Sequence, residues 1–352
     1  MLVEREPGFS RKVAFGTLGL VLIPVGISFL FPTSPAAGKE GSRSFKVALV
    51  QGNTFWEPKR DTHDAYLERS GGKYRDLTRS VIEFRPDLIA WPSASVPGAI
   101  PVDRAVVNFL SGNARQAGTF LLVGSAGFDK FDEELRKSER MANSAFLFSP
   151  EGKILDRYDK MKLFPFDEYL PLRGMFPWPS WLVSAEMKDH YPGKRRTVFD
   201  TGKARFGVLI CSENLWPENF REMARQGVDF MLSMTNEGFT ESTVGRHMLL
   251  AMYRFRAIES RIAIARVDTR GITCAIDPGG GLIGKVADPK GSDFNVEGVL
   301  VAEIPLSRES SFYTRNGNLF LYILFASFAG FGTLSIFRRA EKEPFSEQLP
   351  KG

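Results

Sequence analysis

Cysteine and histidine are scarce in this chain of 352 residues, which contains two cysteines and three histidines. Two cysteines cannot form a disulfide framework, and Cys211 and Cys274 do not stand in the C-x-x-C pair typical of a zinc site. The histidines (His63, His190 and His247) are far apart and lack the spacing of metal ligands. The sequence therefore predicts no metal site and gives no indication of any other cofactor.

The chain also lacks a strong excess of one charge. It carries 46 Lys and Arg against 41 Asp and Glu, a net charge of +5, and 43% of its residues are hydrophobic. This balance excludes wholesale disorder. No basic stretch interleaved with aromatic residues is present, so nucleic acid is not an expected partner. The small positive surplus is typical of an ordinary solvated surface or of one that meets anionic phospholipid head groups.

Two segments lack charge altogether, Val13–Leu30 and Gly317–Phe337. Each approaches the roughly 20 residues that a helix needs to cross a bilayer, so we expect transmembrane helices over 13–31 and 317–337. Two alternatives remain open from sequence alone. The first segment is also compatible with a signal peptide cleaved near Ser34–Ala37, and the second with a buried core helix.

Basic residues flank both apolar segments on their outer sides. Arg11 and Lys12 precede the first segment, while Arg338 and Arg339 follow the second. Because positive charge stays on the cytoplasmic side, residues 1–12 and 338–352 are expected to be cytoplasmic. The domain between the two segments would then face the periplasm or the cell exterior.

Residues 45–305 show alternating helix and strand patterns, which predict an α/β domain of sheets covered by helices. Helices are expected at Asp61–Phe84, Arg104–Ala117, Asn219–Gln226 and Arg246–Arg261. Buried strands are expected at Phe45–Gln51, Asp87–Trp91, Phe120–Ser125, Arg205–Cys211 and Asp229–Met234, and a hairpin at Ser144–Tyr158. Phe166–Arg196 is rich in proline and tryptophan and is predicted to be a long functional loop.

Cys211 stands at the end of a predicted buried strand, where α/β domains place reactive groups. Most free cysteines are inert and buried, and Cys274, inside a strand pattern, fits that description. A reactive thiol needs a nearby cation or base. Lys160 and Glu168 are candidates, although each taken alone has the pattern of an ordinary surface residue.

Five segments form a series of motifs along the chain: WPSASVPG at 91–98, YDKMKLFPFDEYLP at 158–171, GVLICSENLWP at 207–217, SMTNEGF at 233–239 and RAIESR at 256–261. In this order they resemble the nitrilase (carbon–nitrogen hydrolase) superfamily, and most closely its apolipoprotein N-acyltransferase branch. The resemblance covers Phe45 to about Pro305. It implies an α-β-β-α sandwich and a Glu-Lys-Cys catalytic triad.

The resemblance also assigns roles to individual residues. Cys211 would be the nucleophile, Lys160 would stabilise the thiolate and the oxyanion, and Glu168 would be the supporting glutamate beside the lysine. Ser212 and Glu213 would lie at the active site close to substrate. In this bacterial branch the cysteine takes an acyl chain from a phospholipid as a thioester and passes it to the N-terminal amine of a lipoprotein. A location in the cytoplasmic (inner) membrane follows.

One departure from the family pattern concerns the catalytic base. The family reads Trp-Pro-Glu where this chain reads Trp91-Pro92-Ser93. A serine hydroxyl cannot accept the thiol proton near neutral pH, and loss of a general base typically costs about 10²- to 10⁴-fold in rate. Glu168 is the best surrogate carboxylate, with Glu213 behind it.

A second departure is the small number of membrane helices, since the acyltransferase branch has several more than two. This chain would therefore need a reduced lipid entry, a partner or a different substrate. The tryptophans Trp178 and Trp181 suit the membrane interface and are candidate substrate contacts, although packing of this loop on its own domain explains them equally well.

Three functions remain open from the sequence. The first is acyl transfer through a Cys211 thioester, with phospholipid and lipoprotein as substrates. The second is a catalytically degenerate membrane scaffold that binds lipid, lipoprotein or a protein partner, including a second copy of the chain. The third is hydrolysis of a small amide or nitrile.

Overall fold

The structure is a computed structural model that describes residues 43–54, 62–128, 131–132, 137–138, 141–179, 181–183, 189–237, 243–308 and 310–342, together with Gly16 and Gly19. The chain divides into two compact units. One comprises Met1–Ser34 and Asn316–Gly352, and the other is Pro35–Arg315. The larger unit contains all the strands of the described residues and all the candidate catalytic residues.

The first sheet contains seven strands in the order β15-β1-β2-β4-β7-β8, with β3 paired to β4. Strands β1, β2 and β4 run parallel, whereas β15, β7 and β8 pair antiparallel to their neighbours. Their bounds are β1 Ser44–Gln51, β2 Leu88–Ala90, β3 Ala99–Ile100, β4 Phe120–Phe128, β7 Met141–Phe148, β8 Ile154–Asp159 and β15 Gly298–Pro305. A separate two-stranded sheet joins β5 Phe131–Asp132 to β6 Lys137–Ser138.

The second sheet contains six strands in the order β14-β13-β12-β11-β10-β9. Its central strands β10, β11 and β12 are parallel, so their carboxyl ends lie at one edge of the sheet. The bounds are β9 Val198–Asp200, β10 Arg205–Ile210, β11 Phe230–Thr235, β12 Ala263–Asp268, β13 Cys274–Ile276 and β14 Leu282–Lys285.

The helices of the described residues are short in the domain and longer near its carboxyl end. They are α1 His63–Tyr66, α2 Gly72–Arg79, α3 Arg104–Ala117, α4 Pro217–Arg225, α5 Thr243–Ser260, α6 Phe312–Asn316 and α7 Leu319–Lys342, with a π-helical turn at Leu67–Gly71 and 3-10 turns at Ile82–Phe84 and Cys211–Leu215. The helices predicted around 219–226 and 246–261 are present with bounds shifted by one to three residues.

The main core lies between the two sheets. Phe45 of β1 packs 5.4 Å, ring centre to ring centre, from Phe230 of β11, and Phe206 of β10 stacks on Phe230 at 5.1 Å. All three side chains are fully buried. Burial of large aromatic surfaces of this kind is a dominant source of stability in a sandwich core.

Helices cover the outer face of each sheet. On the first sheet, Val106 and Leu110 of α3 belong to a core cluster that contains Trp91 and Phe146. On the second sheet, Phe220 of α4 and residues of α5 pack on the strands. The order of layers is therefore α-β-β-α, which confirms the nitrilase-type fold expected from the sequence.

The helix predicted over Asp61–Phe84 is present as a continuous helical run from His63 to Arg79, which contains a π-helical turn where the sequence carries Gly71-Gly72. The chain forms a π-helical turn at Leu67–Gly71 before α2 begins. A Cβ atom on Gly71 would stand 3.0 Å from the ring of Phe109 on α3. Glycine therefore permits this helical run and α3 to approach closely.

The two predicted membrane spans have different outcomes. The first, at 13–31, lies outside the described residues except for Gly16 and Gly19. The second corresponds to α7 in position. Within the part of the chain that the structure describes, no helix combines the length and apolarity needed to cross a bilayer.

Candidate active site

Cys211 occupies a sharp turn directly after β10. Its φ of 50° lies in the left-handed region, which is unusual for a residue with a side chain and is typical of functional turns. The 3-10 turn Cys211–Leu215 begins there, and the amide of Asn214 donates to the Cys211 carbonyl at 2.8 Å. The thiol is half-buried. The fold therefore presents this cysteine at the edge of the second sheet.

Glu213 joins the nucleophile turn to the first sheet. Its buried carboxylate accepts the Tyr158 hydroxyl at 2.8 Å and the backbone N–H groups of Ile210, Met161 and Lys162 at 3.0, 2.8 and 3.1 Å. Burial raises the pKa of Glu213, although these donors oppose the shift. Both oxygens accept protein donors, so Glu213 ties the nucleophile turn to β8 and to the loop that follows it.

Lys160 and Glu168 form a buried ion pair beside this clamp. The Lys160 side chain is 1% exposed, and its Nζ lies 2.6 Å from Oε2 of Glu168, which also accepts the Phe164 N–H at 2.7 Å. Burial alone would raise the pKa of Glu168. The neighbouring His190 imidazole, the Lys160 ammonium and the backbone donor outweigh burial and hold that pKa down to about 2. Glu168 is therefore ionised throughout the neutral range.

Asn143 links the ion pair to Ser93, and the sequence analysis missed this residue. Its side-chain Nδ2 donates to Oε1 of Glu168 at 3.3 Å, and its Oδ1 accepts the Ser93 hydroxyl at 3.3 Å. Its carbonyl also accepts the N–H of Lys160 at 2.8 Å. The available signal was a pair of polar residues, Asn143 and Ser144, in a strand that is otherwise apolar, since buried polar side chains are normally paired.

Ser93 supplies a neutral hydroxyl, and no carboxylate, at its own position in this network. The residue is buried and follows Trp91 at the end of β2. Its backbone lies so close to β4 that a Cβ atom on Gly124 would stand 2.5 Å from the Ser93 Cα atom. The hydroxyl reaches Glu168 only through Asn143. A carboxylate whose pKa is about 2 is a weak base, so Glu168 is poorly suited to take the thiol proton.

The environment of Cys211 disfavours its thiolate overall. Burial raises the pKa of the thiol, and the carboxylates of Glu168 and Asp268 add to this effect. The Lys160 ammonium and the backbone N–H of Ser212 oppose it. The Lys160 charge thus acts on the nucleophile, but it does not lower the thiol pKa below its usual value.

A second buried charge cluster lies at the ends of β11 and β12. Arg266 pairs with Glu237 and lies 3.3 Å from Oδ2 of Asp268, which also accepts the Thr235 hydroxyl at 2.5 Å. Oδ1 of Asp268 accepts the N–H of Gly271. Because Cys211 follows the adjacent parallel strand, this cluster sets negative charge along the same sheet edge. The sequence analysis did not identify it.

The loop after Lys160 carries the two candidate tryptophans. The indole of Trp178 donates to the Pro171 carbonyl at 2.7 Å, and its ring packs against Phe166 and Phe176. Trp181 is 83% exposed. Other exposed apolar side chains share this region: Phe164, Leu172, Met175 and Leu182. Trp178 therefore stabilises the loop, whereas Trp181 contributes to an exposed apolar surface.

Among the residues that the structure describes, no group of three His, Cys, Asp or Glu side chains is arranged to hold a metal ion. Cys274 is fully buried in β13, as expected of a core residue.

Comparison with known proteins identifies the family. Residues 46–313 match the carbon–nitrogen hydrolase family, and these residues make up most of the chain. The chain therefore belongs to this family, which is the nitrilase superfamily of the sequence analysis.

The curated relatives that the chain matches include apolipoprotein N-acyltransferases. The chain is 34% identical to the apolipoprotein N-acyltransferase of Geobacter metallireducens over 96% of its own length and 62% of that protein. It is 29% identical to apolipoprotein N-acyltransferase 1 of Treponema pallidum over 74% of its own length and 49% of that protein. The chain thus spans about half to three-fifths of the length of these relatives.

Solved structures support the fold. An amidase from Nesterenkonia sp. superposes with a TM-score of 0.55 at 20% identity, covering 82% of this chain and 98% of the amidase. Saccharomyces cerevisiae Nit3, a member of branch 10 of the nitrilase superfamily, gives a TM-score of 0.55 at 21% identity over 76% of this chain and 93% of Nit3. At these identities the likeness concerns architecture alone.

Proposed function

We propose that this protein transfers an acyl chain through a thioester on Cys211, taking it from a phospholipid and passing it to the N-terminal amine of a lipoprotein. The observation that carries the proposal is the left-handed turn at Cys211, held by Glu213 to the loop that carries the buried Lys160–Glu168 ion pair. The names of the curated relatives support the same reaction.

The reaction has two steps. In the first, the Cys211 sulfur attacks the ester carbonyl of the donor, the C–S bond forms, and the C–O bond to the lysophospholipid breaks. The thiol proton leaves with the lysophospholipid hydroxyl. In the second, the acceptor amine attacks the thioester, the C–N bond forms, and the C–S bond breaks. The amine proton restores the thiol. Lys160 stabilises the oxyanion that develops in both steps.

This site is poorly equipped to remove the proton of the Cys211 thiol. Ser93 stands where the family has its base, and Glu168 is held as an ion pair with a pKa of about 2. Acylation therefore depends on the small fraction of Cys211 that is ionised without a base. We expect turnover to be slow at neutral pH and to increase as the pH rises.

Features that suit a membrane setting support phospholipid and lipoprotein as the substrates. The exposed apolar side chains that follow Lys160, with Trp181 and Met175 more than four-fifths exposed, would contact the interfacial layer of a bilayer. The uncharged segments at 13–31 and 317–337, with basic residues on their outer flanks, would anchor the chain with its domain facing the periplasm or cell exterior. The expected location is the bacterial cytoplasmic membrane.

Intact-mass analysis of Cys211 tests the proposal. The full chain purified from phospholipid membranes should carry an acyl adduct on Cys211 that hydroxylamine releases as expected of a thioester. Cys211→Ala should lose the adduct, whereas Cys274→Ala should retain it because that thiol is fully buried. An unmodified Cys211 in the natural chain, together with full cellular function of Cys211→Ala, would exclude the acyltransferase.

A catalytically silent scaffold that binds lipid or lipoprotein is the second candidate. The observation that favours it is Ser93, whose hydroxyl contacts Asn143 at 3.3 Å where the family has its base. Under this alternative the pocket would bind the acyl donor without forming a thioester. Ser93→Glu separates the two candidates. A silent scaffold would change from no acylation of Cys211 to measurable acylation, whereas an acyltransferase would show acylation before the substitution.

A further inference from the structure

A cavity of about 330 Å³ lies beside β8 and is lined by Arg157, Asp159, Tyr191, Gly193, Lys194, Arg195 and Thr197. It does not share the face of the sheet that carries the catalytic ion pair. Side chains alternate along a strand, and Tyr158 points between the sheets to Glu213. The neighbouring Arg157 instead lies over the ring of Phe146, which belongs to the outer core cluster.

The wall opposite β8 is formed by an extended segment that approaches the strand closely. The N–H of Gly193 donates to the Lys160 carbonyl at 2.8 Å, and the Thr197 hydroxyl donates to the Arg157 carbonyl at 2.8 Å. A Cβ atom on Gly193 would stand 2.1 Å from the carbonyl oxygen of Asp159. Glycine is therefore needed for the cavity to keep its shape.

Positive charge exceeds negative charge around this cavity. Arg157 pairs with Asp159 at 2.5 Å, and Arg195 pairs with Asp156 at 2.6 Å. Lys194 is exposed and lies 5.6 Å from the centre of the Tyr191 ring. Among the described residues, no carboxylate is within salt-bridge distance of its ammonium group.

We propose that this cavity binds a phosphate-type anion. Two arginines and one lysine line the space, and guanidinium and ammonium groups are the side chains that recognise phosphate oxygens. The Tyr191 ring and the Thr197 side chain supply the remaining walls. The volume accommodates a phosphate that carries a small polar substituent, so the ligand is either free phosphate or a phosphodiester head group of a lipid. The site is separate from Cys211 and does not depend on its chemistry.

Calorimetric titration of the full chain in neutral detergent tests the site. The probes are inorganic phosphate and two deacylated head groups, glycerophosphoethanolamine and glycerophosphoglycerol. We expect Lys194→Gln/Arg195→Gln to weaken binding by about tenfold or more, because hydrogen bonds to charged groups are lost. A matched control, Lys153→Gln/Lys290→Gln, removes two exposed cations outside the cavity and should change affinity less than about twofold.

Gly193→Ala provides a variant that leaves the charge unchanged. If anion binding requires the shape of the cavity, Gly193→Ala should weaken it. If a diffuse basic surface binds the anion, the affinity should not change. Tighter binding of a glycerophosphate head group than of inorganic phosphate identifies a lipid ligand, and the reverse order identifies free phosphate. Absence of saturable binding, or equal weakening by both double variants, would overturn the proposal. Cys211→Ala should bind the anion with the affinity of the natural chain. Failure of the acyltransferase proposal would therefore leave the anion-binding proposal unaffected.

Discussion

The two sides of the Cys211 pocket differ in how completely their polar groups are satisfied. On one side, Glu213 accepts four different protein donors, and Glu168 is paired with Lys160 at 2.6 Å. On the other side, Ser93 makes a single long hydrogen bond of 3.3 Å to Asn143. The clamp that positions the nucleophile is thus densely bonded, whereas the position expected to remove its proton carries no charge.

Within this one site, the groups that position the nucleophile are therefore different from the position expected to accept its proton. Buried carboxylates such as Glu168 and Glu213 cannot be lost without leaving several unsatisfied donors, so folding itself maintains them. A base at position 93 contributes to rate and is not required by any neighbouring group. A glutamate there can therefore be exchanged for serine while the scaffold around Cys211 stays complete.

The largest effect is expected for Ser93→Glu, which removes the difference between the two sides. A carboxylate at this position would accept the thiol proton, so formation of the acyl adduct on Cys211 should accelerate by about 10²- to 10⁴-fold at neutral pH. Single-turnover mass spectrometry with phospholipid measures this rate. Ser93→Gln is the control, since it has the same size and no base. Equal rates for the two variants would show that proton removal does not limit the reaction.

Breaking the Lys160–Glu168 pair tests the densely bonded side. Lys160→Met and Glu168→Gln should each lower the free energy of unfolding by about 3–5 kcal/mol, because each leaves the other partner charged and buried. The double variant removes both charges and should cost less than the sum of the single variants. Denaturant unfolding of the three variants gives the coupling. Strict additivity would mean that the two groups do not interact in the folded protein.

Much of the fold could be predicted from the sequence because the strands are short apolar runs separated by turn residues. The positions of Cys211 and Lys160 at strand ends also followed from this pattern. Asn143 could not be predicted, because its role depends on the antiparallel pairing of β7 with β8, which brings it opposite the Lys160 loop. Local pattern carries no information about such pairing between segments.

The role of Glu213 could not be predicted for a similar reason. Its spacing from Cys211 suggested a residue at the active site, but two of its donors are the Met161 and Lys162 backbone in the loop after β8 of the other sheet. The π-helical turn at Leu67–Gly71 was visible only as a weakness in the helical pattern. The approach of the Phe109 ring to Gly71 is a tertiary contact. Contacts between sheets and between helices thus account for what the sequence left undetermined.

A smaller effect is expected in the pH dependence of stability, and it arises from the same Lys160–Glu168 ion pair. The pKa of Glu168 falls from a usual value of 4.5 to about 2 in the folded protein. Its ionised form therefore adds stability that is fully present above pH 4.5 and is lost as the pH falls toward 2. We expect a contribution of about 2 kcal/mol after allowance for solvent screening. Unfolding measured from pH 5 to pH 2 should show this loss, and the Lys160→Met/Glu168→Gln protein should lack it.

The reactivity of the Cys211 thiol reports on the charged groups that surround it. Burial raises the pKa of Cys211 above its usual value, so alkylation by iodoacetamide should keep accelerating beyond pH 9. Lys160→Met removes the opposing cation, raises the pKa of the thiol further and should slow alkylation at pH 8 by about tenfold. Cys274 is fully buried and should not react in the folded protein. A reaction that is complete at neutral pH would show that the thiolate is stabilised after all.

The smallest effect is expected for Ser93→Ala, and it determines whether the serine has any role in catalysis. The variant removes one neutral hydrogen bond of 3.3 Å and should cost less than about 1 kcal/mol in stability. If Ser93 is only a replacement for a missing base, the rate of Cys211 acylation should also change less than about twofold, within the effect of a lost neutral contact. A large loss of rate with unchanged stability would instead mean that the hydroxyl acts through Asn143 on Glu168. The uncharged side of the pocket would then take part in proton transfer by a route that differs from the one the family motif implies.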